Sequence, residues 1–269
     1  MFRFVILAAI IFMIYQSVQM AGDYNFQETN TNATHNSKIL DMPFERNGTG
    51  FYINNQGHII TNEHVVRKCT EVRITNESTG ESSMAQVLAT KREVDLAVLA
   101  TENKSNYLPR ITASMVSTQK DENSYVYGCP DILDEAAKQP CYFKPATIVG
   151  VEQYEGSATW IVLKSGVTDG IRSGYSGSAI IHPADGLIGV VSRVTESLFV
   201  AAKYDTSKVD QGIRLELLLE FLAENNIPHQ QSDDNNYYDA DEIERRAQDF
   251  TVSIYCDPEP DKSNALSTQ

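Results

Sequence analysis

Residues 174–180 read GYSGSAI, in which glycines precede and follow Ser176 shortly before an apolar run. Glycine and serine also cluster in ordinary turns, so this pattern alone is a weak sign of a catalytic serine. A serine hydroxyl becomes an effective nucleophile only when an imidazole accepts its proton and an acid orients that imidazole. Whether Ser176 is a nucleophile therefore depends on the histidines and acids elsewhere in the chain.

His64 is the best candidate for the imidazole among the five histidines. It lies in GHIITNEHVVRKC, residues 57–69, where an apolar strand is predicted to end at Asn62 and a short apolar turn follows. Catalytic groups are common on loops at strand ends. The other four histidines are interpreted as solvated turn or strand-end residues: His35, His58, His182 and His229.

Asp95 is the candidate acid. It lies in REVDLAVLA, residues 92–100, immediately before an apolar strand, where its carboxylate can be partly buried beside an imidazole. Taken alone, an aspartate in this position is more typical of a turn or a strand cap.

Four segments together resemble the trypsin-like serine proteases, in particular the HtrA/Deg-type branch. That branch is characterised by the motifs GxGF, TNxHVV, DLAVL and GxSG followed by Gly or Ser. This chain has all four in the same order, at residues 48–51, 61–66, 95–99 and 174–178. The resemblance covers residues 40–228, and four ordered motifs are far more specific than any one of them.

The resemblance implies an all-β fold of two packed six-stranded antiparallel β-barrels with a C-terminal helix. It also implies that His64 is the general base, Asp95 its orienting acid and Ser176 the nucleophile. The backbone N–H groups of Gly174 and Ser176 are expected to form the oxyanion hole, where a strained backbone favours glycine. Ser192 matches a serine that supports the triad acid in many relatives.

The function implied is that of a serine endopeptidase, which hydrolyses peptide bonds in a protein or peptide substrate through an acyl-enzyme and needs no metal or cofactor. Tyr175 stands where digestive-type relatives have an aspartate that captures a newly cut N-terminus, so activation of that kind is not expected. Residues 229–269 are too few for the PDZ domain of HtrA proteases.

The primary substrate pocket is expected to be lined by Gly170, Ile171, Ser192 and Arg193. No acid stands at the expected base of the pocket, Gly170 or Ile171, which argues against a preference for Lys or Arg. Ile171 favours small or medium apolar side chains, whereas Arg172 and Arg193 leave a preference for acidic residues open.

The remaining sequence agrees with an all-β fold. From about Ile39, short segments rich in Val, Ile, Thr and Tyr alternate with turn residues, which is typical of a barrel or sandwich rather than of βαβ units. One amphipathic helix is predicted in GIRLELLLEFLAENN, residues 212–226, before Pro228. FTVSIYC, residues 250–256, is compatible with one further strand.

The sequence divides into four segments. Residues 1–21 are interpreted as a signal peptide or N-terminal anchor and residues 22–37 as a flexible leader. A protease domain is predicted for residues 38–228, with the boundary between its barrels near residue 118, and an acidic extension for residues 229–269. The formal charge of −14 argues against binding to nucleic acid or to anionic lipid.

The N-terminus predicts export. Arg3 precedes an unbroken apolar run from Phe4 to Tyr15, which suits a signal-peptide core and is shorter than the roughly 20 residues that span a bilayer. The protein is therefore expected to be secreted or periplasmic. The pattern of small residues before Ala21 is poor, so an uncleaved membrane anchor over residues 4–18 stays open.

Four cysteines are expected to form disulfides in an oxidising compartment. No CxxC motif and no zinc-like Cys/His spacing occurs, so no metal site is predicted. Cys129 and Cys141 can close a short loop, which would leave Cys69 to pair with Cys256, although four cysteines allow three connectivities.

Two other functional interpretations are weaker. The nucleophile elbow of α/β-hydrolases has the pattern GxSxG and leads into a helix, whereas GYSGS lacks the last glycine and precedes two predicted strands. A catalytically silent binding or regulatory module of the same protease fold is the main alternative. Such a module normally lacks a triad residue, and His64, Asp95 and Ser176 are all present here.

Overall fold

The computed structural model describes residues 45–112, 120–130, 141–154, 158–166, 169–184, 186–195, 203, 208–232 and 236–258. The predicted signal or anchor and the flexible leader lie outside these ranges, and so does the predicted boundary near residue 118. Among the helices of the described residues, none has the length and apolar character needed to cross a membrane.

The first barrel is closed by six antiparallel strands. They are β1 (Glu45–Tyr52), β2 (His58–Thr61), β3 (Cys69–Asn76), β4 (Glu81–Lys91), β5 (Leu96–Ala100) and β14 (Thr251–Pro258), in the order β1-β14-β3-β4-β5-β2. In β3 alternate residues such as Val72 and Ile74 are buried, as the two-residue period of a strand requires. Buried apolar side chains of β1, β2, β3, β5 and β14 fill the barrel, and β4 adds the partly buried Ala85 and Ala89.

The second barrel is also closed by six antiparallel strands, because β10 pairs with both β7 and β11. Its strands are β7 (Asn123–Gly128), β8 (Tyr142–Tyr154), β9 (Ala158–Lys164), β10 (Ala179–His182), β11 (Gly186–Thr195) and β12 (Val209–Arg214). Two short strands extend the sheet from β11: β6 (Ile111–Thr112) and β13 (Gln231–Ser232). The predicted fold of two six-stranded antiparallel barrels is confirmed.

Three helices accompany the barrels in the described ranges: α1 (Glu63–Val66), α2 (Leu215–Glu224) and α3 (Ala240–Phe250). The predicted C-terminal helix is α2, whose Leu218 and Phe221 pack into the apolar core. It ends before Asn226, which has a φ of +55°, and Pro228 follows. The sequence analysis did not predict α3, which the carboxylate of Asp239 caps by accepting a hydrogen bond from its first turn.

The C-terminal segment is part of the first barrel rather than an appendage to it. The predicted strand at residues 250–256 is present as β14, which pairs with β1 on one side and β3 on the other. A disulfide joins Cys69 at the start of β3 to Cys256 in β14. Residues 38–228, the span assigned to the protease domain from the sequence, therefore supply only five of the six strands of this barrel.

Candidate active site

His64 lies in α1, between β2 and β3, where its side chain is 39% exposed. Its Nδ1 atom is 2.8 Å from Oδ2 and 3.0 Å from Oδ1 of Asp95. The backbone N–H of His64 also donates to Oδ1 of Asp95, at 3.0 Å. One carboxylate thus fixes both the ring and the backbone of the histidine, and a proton on Nδ1 leaves Nε2 able to accept another.

Asp95 directly precedes β5 in a left-handed backbone conformation with a φ of +57°, which is uncommon for residues other than glycine. The side-chain amide of Asn62 donates to the Asp95 carbonyl oxygen at 2.9 Å and helps to hold this conformation. The positive φ lets the chain turn sharply into β5 while the carboxylate projects towards His64.

Ser192 in β11 donates from Oγ to Oδ2 of Asp95 at 2.7 Å. Burial raises the pKa of Asp95, but the hydrogen bonds and the charge interaction with His64, together with the bond from Ser192, outweigh it and hold the pKa below its usual value. The carboxylate is therefore ionised at neutral pH.

Ser176 follows a turn in which the N–H of Tyr175 donates to the carbonyl of Arg172. Its Oγ donates to the carbonyl oxygen of Ser192 at 3.0 Å, and its own carbonyl accepts a hydrogen bond from the N–H of Thr49 in β1 at 2.9 Å. Within the described residues no hydrogen bond joins Ser176 to His64. The two side chains nevertheless line the same groove.

The backbone N–H groups of Gly174 and Ser176 donate no hydrogen bond to any described residue. Gly174 has a φ of +90°, a conformation that glycine adopts without strain. Its carbonyl oxygen accepts a hydrogen bond from Oγ1 of Thr49 at 2.6 Å, and the same Oγ1 accepts one from the N–H of Cys129 at 3.0 Å. Thr49 therefore anchors this turn across the two barrels.

Gly177 lets the chain behind Ser176 pass against the first barrel. Its φ is +89°, and a Cβ atom here would lie 2.0 Å from the carbonyl oxygen of Thr49. No side chain fits this approach without a shift of the backbone.

A disulfide joins Cys129 and Cys141, at the ends of two neighbouring strands of the second barrel, and another joins Cys69 and Cys256. The two cysteine pairs favoured by the sequence are therefore the two pairs joined in the structure.

The groove between the barrels has a volume of about 580 Å³. Its lining consists of His64, Arg67, Arg92, Asp95, Arg172, Ser173, Ser176, Val191, Ser192 and Arg193. Two of the four predicted pocket residues, Ser192 and Arg193, belong to this set. Gly170 and Ile171 do not: both are buried, and Ile171 packs inside the second barrel beside Tyr175. Ile171 therefore offers no surface to a substrate in this structure.

A buried polar cluster holds Ile171 in the core. The N–H of Ile171 donates to Oγ of Ser165 at 3.0 Å, and the ammonium group of Lys208 donates to its carbonyl oxygen. Ser165 in turn donates to Asp210, which is fully buried and has an oxygen 3.7 Å from the Lys208 ammonium. Burial outweighs these favourable interactions and raises the pKa of Asp210 to about 6.

Comparison with known protein families decides the relationship of the chain. A family model described as trypsin-like peptidase domain matches residues 48–190, which is more than half of the chain. The chain belongs to the trypsin-like peptidase family. The matched range includes His64, Asp95 and Ser176.

Two curated proteins resemble this trypsin-like peptidase over part of their length. Protease Do-like 1 of the Arabidopsis thaliana chloroplast is 29% identical over 165 residues, which are 58% of this chain and 35% of that protein. The uncharacterized protein y4bJ of Sinorhizobium fredii is 26% identical over 215 residues, 78% of this chain and 32% of that protein. The chain thus spans about a third of the length of the curated relatives it matches.

Solved structures share the fold of this trypsin-like peptidase. The HtrA-type protease AlgW with a decapeptide superposes with a TM-score of 0.52 at 20% identity, over 67% of this chain and 51% of that one. The active form of the Rv3671c protease from M. tuberculosis also has a TM-score of 0.52, at 18% identity, over 71% of this chain and 77% of that one. At these identities the likeness establishes the fold.

The sequence analysis missed several residues of the groove and its support. Thr49 gave no signal, because a threonine in a predicted strand is unremarkable until the partner across the barrels is known. Arg67 and Arg92 also line the groove, but in the sequence they are only charged residues beside the motifs of this trypsin-like peptidase, and nothing there indicates that they face a substrate. In the described part of the chain, no group of three or more His, Cys, Asp or Glu side chains is arranged to hold a metal ion.

Proposed function

We propose that this chain is a serine endopeptidase that hydrolyses peptide bonds in protein or peptide substrates. The observation that carries the proposal is the meeting of the His64–Asp95 pair, with a 2.8 Å contact, and the hydroxyl of Ser176 in one groove. The backbone N–H groups of Gly174 and Ser176, in the turn that carries this hydroxyl, donate no hydrogen bond to any described residue.

In the proposed reaction, Oγ of Ser176 attacks the carbonyl carbon of the scissile bond while Nε2 of His64 takes the hydroxyl proton. The carbonyl oxygen becomes an oxyanion and accepts hydrogen bonds from the N–H groups of Gly174 and Ser176. When the tetrahedral intermediate collapses, His64 gives the proton to the departing amine, and an ester to Ser176 remains. Water then attacks this ester with His64 as the base, which releases the carboxylic acid and restores the serine.

Two features of the resting site bear on this reaction. Oγ of Ser176 donates to Ser192 rather than to His64, so the hydroxyl has to rotate about the Cα–Cβ bond before attack. Catalytic hydrogen bonds of this kind are often formed only in the complex with substrate. The ionised carboxylate of Asp95 would stabilise the imidazolium that forms on His64 and hold the ring in the tautomer required.

The test is labelling with a fluorophosphonate probe, which reacts with activated serines. We expect the purified protein to be labelled, the Ser176→Ala variant to be unlabelled, and either Ser176→Ala or His64→Ala to lower peptide turnover by about 10⁶-fold. If wild-type protein with an intact far-UV circular dichroism spectrum is not labelled, the alternative of a catalytically silent binding or regulatory module is favoured instead.

We further propose that the protein is exported. Support comes from the apolar run at residues 4–15 and from two disulfides, which suit an oxidising compartment. N-terminal sequencing of the protein recovered from the exported fraction distinguishes cleavage near Ala21 from an uncleaved anchor. Recovery only from the cytoplasm, with free thiols, would contradict export.

A further inference from the structure

We infer that the groove selects acidic peptides, that is, segments with Asp or Glu on both sides of the bond to be cleaved. This inference rests on the proposed peptidase function, because it names the substrate class of the same site. The observations that carry it are the charge of the lining, the state of each charged group, and the lack of apolar surface.

Four of the ten lining residues are arginines: Arg67, Arg92, Arg172 and Arg193. Their places in the chain tie them to the site, since each lies within four residues of His64, Asp95, Ser176 or Ser192. Two belong to the first barrel and two to the second, so both walls of the groove carry positive charge. Within the lining, the sole acid is Asp95, which is already bound to His64 and Ser192.

The arginines differ in how far their charge is already balanced. Arg67 makes a bidentate contact with the carboxylate of Glu63, with Nε 2.9 Å from both oxygens. The guanidinium groups of Arg92 and Arg172 are exposed and have no hydrogen-bond or ion-pair partner among the described residues. Arg193 stacks on the ring of Trp160, 5.0 Å from its centroid, which leaves the N–H donors at the guanidinium edge for another ligand.

The sign of this charge is opposite to that of the whole protein. The chain has a formal charge of −14, so acidic side chains are abundant on it and would be expected around a groove of no particular specificity. A cleft lined by one sign of charge concentrates ligands of the other sign. Guanidinium groups also match carboxylates geometrically, because they can donate two parallel hydrogen bonds.

The groove offers little to an apolar side chain. Val191 is the one apolar residue in the lining, and Ile171, the residue expected to favour apolar side chains, is fully buried in the core of the second barrel. The structure therefore removes the main argument for an apolar preference. It strengthens the argument for a preference for acidic residues, which Arg172 and Arg193 had suggested.

The decisive experiment measures binding to the full-length Ser176→Ala protein, so that its result does not depend on catalysis. Two fluorescent peptides are compared by anisotropy, one with Asp and Glu around the central bond and one with Asn and Gln in their place. We expect the acidic peptide to bind about tenfold more tightly in 20 mM salt, and this advantage to shrink about threefold in 0.5 M salt, because exposed charges are screened.

Matched variants locate the effect. Arg172→Gln with Arg193→Gln is expected to abolish most of the tenfold preference, and Arg92→Gln on the opposite wall to reduce it about threefold. Lys104→Gln with Lys120→Gln removes the same charge from exposed positions outside the groove and should leave the preference intact. Thermal melts of all variants check that each is folded.

Equal binding of the two peptides, or a preference that survives all three arginine substitutions, would overturn the inference. Neither result bears on catalysis. If the wild-type protein reacts with fluorophosphonate and cleaves neutral peptides as fast as acidic ones, the peptidase proposal stands and the acidic preference fails. If it does not react, the peptidase proposal fails, and the binding experiment still decides whether the groove takes acidic peptides.

Discussion

The second barrel takes all its strands from one stretch of chain, residues 123–214, whereas the first combines residues 45–100 with a strand from residues 251–258. Each barrel also has its own disulfide. Cys129 and Cys141 are separated by 12 positions, and Cys69 and Cys256 by 187. The same closed architecture is thus reached once by neighbouring segments and once by segments from opposite ends of the folded chain.

This difference makes the candidate active site depend on a segment that contributes nothing to its lining. His64 and Asp95 belong to the first barrel, which needs β14 between β1 and β3 to be closed. Ser176 belongs to the second barrel and is linked to the first through Thr49 in β1. The two halves of the site therefore meet only if the first barrel is complete.

The largest effect is expected from ending the chain at residue 228. This removes β14, together with the buried side chains of Ile243, Phe250, Val252 and Ile254. At about 2 kcal/mol for each, the loss is of the order of the whole stability of an ordinary domain. We expect the first barrel not to fold, and near-ultraviolet circular dichroism and fluorophosphonate labelling to be lost.

Ending the chain at residue 258 is the matched control, because it keeps β14 and removes only residues outside the described ranges. This protein should melt cooperatively and near the wild-type temperature. If the chain ending at residue 228 also melts cooperatively and is labelled, β14 is dispensable and the two barrels do not differ in the way described.

The disulfides give the next comparison. On the chain-entropy view, a cross-link that closes a longer loop restricts the unfolded chain more. Replacing Cys69 and Cys256 by Ala is therefore expected to lower the free energy of unfolding by about 5 kcal/mol, and replacing Cys129 and Cys141 by about 3 kcal/mol. Urea unfolding of the two double variants measures the difference. The reverse order would show that loop length does not govern these disulfides.

Two glycines with positive φ allow the packed junction of the barrels to be compared with an open turn. A Cβ atom at Gly177 would lie 2.0 Å from the Thr49 carbonyl oxygen, whereas, apart from the two chain neighbours of Gly80, no described residue lies within 4 Å of a Cβ atom there. Gly177→Ala should destabilise the protein by at least about 3 kcal/mol, and Gly80→Ala by about 1 kcal/mol, the strain of the conformation alone. Chemical denaturation checks this, and equal losses would mean that the junction is not tightly packed.

Asp210 in the second barrel and Asp95 in the first should respond to pH with opposite signs. Asp210 in the second barrel has a pKa of about 6, so the folded state holds its proton more tightly than the unfolded chain does. Folded stability therefore falls as the pH rises from about 4 to about 6, on the order of 2–3 kcal/mol. Asp95 has a lowered pKa, so its contribution is present above the unfolded pKa and is lost as the pH falls through the folded one.

Urea midpoints of the wild type and of Asp210→Asn at pH 4, 5, 6 and 7 isolate the first of these effects. The free energy of unfolding of the variant should not fall between pH 4 and 6. Its stability relative to the wild type should therefore rise across this interval. Parallel pH profiles for the two proteins would contradict the assignment of the buried proton to Asp210.

Much of the fold and of the groove could be predicted because the informative residues form short motifs. His64, Asp95 and Ser176 were each chosen from a local pattern, and all three line one groove. Ser192, chosen by resemblance, donates a hydrogen bond to Asp95. FTVSIYC, residues 250–256, is compatible in sequence with a strand, and residues 251–256 belong to β14.

What could not be predicted depends on which segments meet. The sequence of residues 250–256 contains no information on partners about 200 positions away, so the closure of the first barrel by β14 was not foreseen. Ile171 in TDGIRS has the same neighbours in the chain whether it faces a substrate or the core, and only Ser165 and Lys208, which bind its backbone, decide between the two. The burial of Asp210 could not be predicted for the same reason, because it depends on the same cluster, in which Ser165 donates to its carboxylate.

The position of β14 also sets the order in which the protein can mature during synthesis. At about 5–20 residues per second, β14 is made roughly 10–30 s after β5, and the second barrel is translated in that interval. Until then β1 and β3 have unpaired edges, which are open to association with other chains. The growing polypeptide therefore cannot close the barrel that carries His64 and Asp95 before β14 has been made, so the candidate site matures late in synthesis.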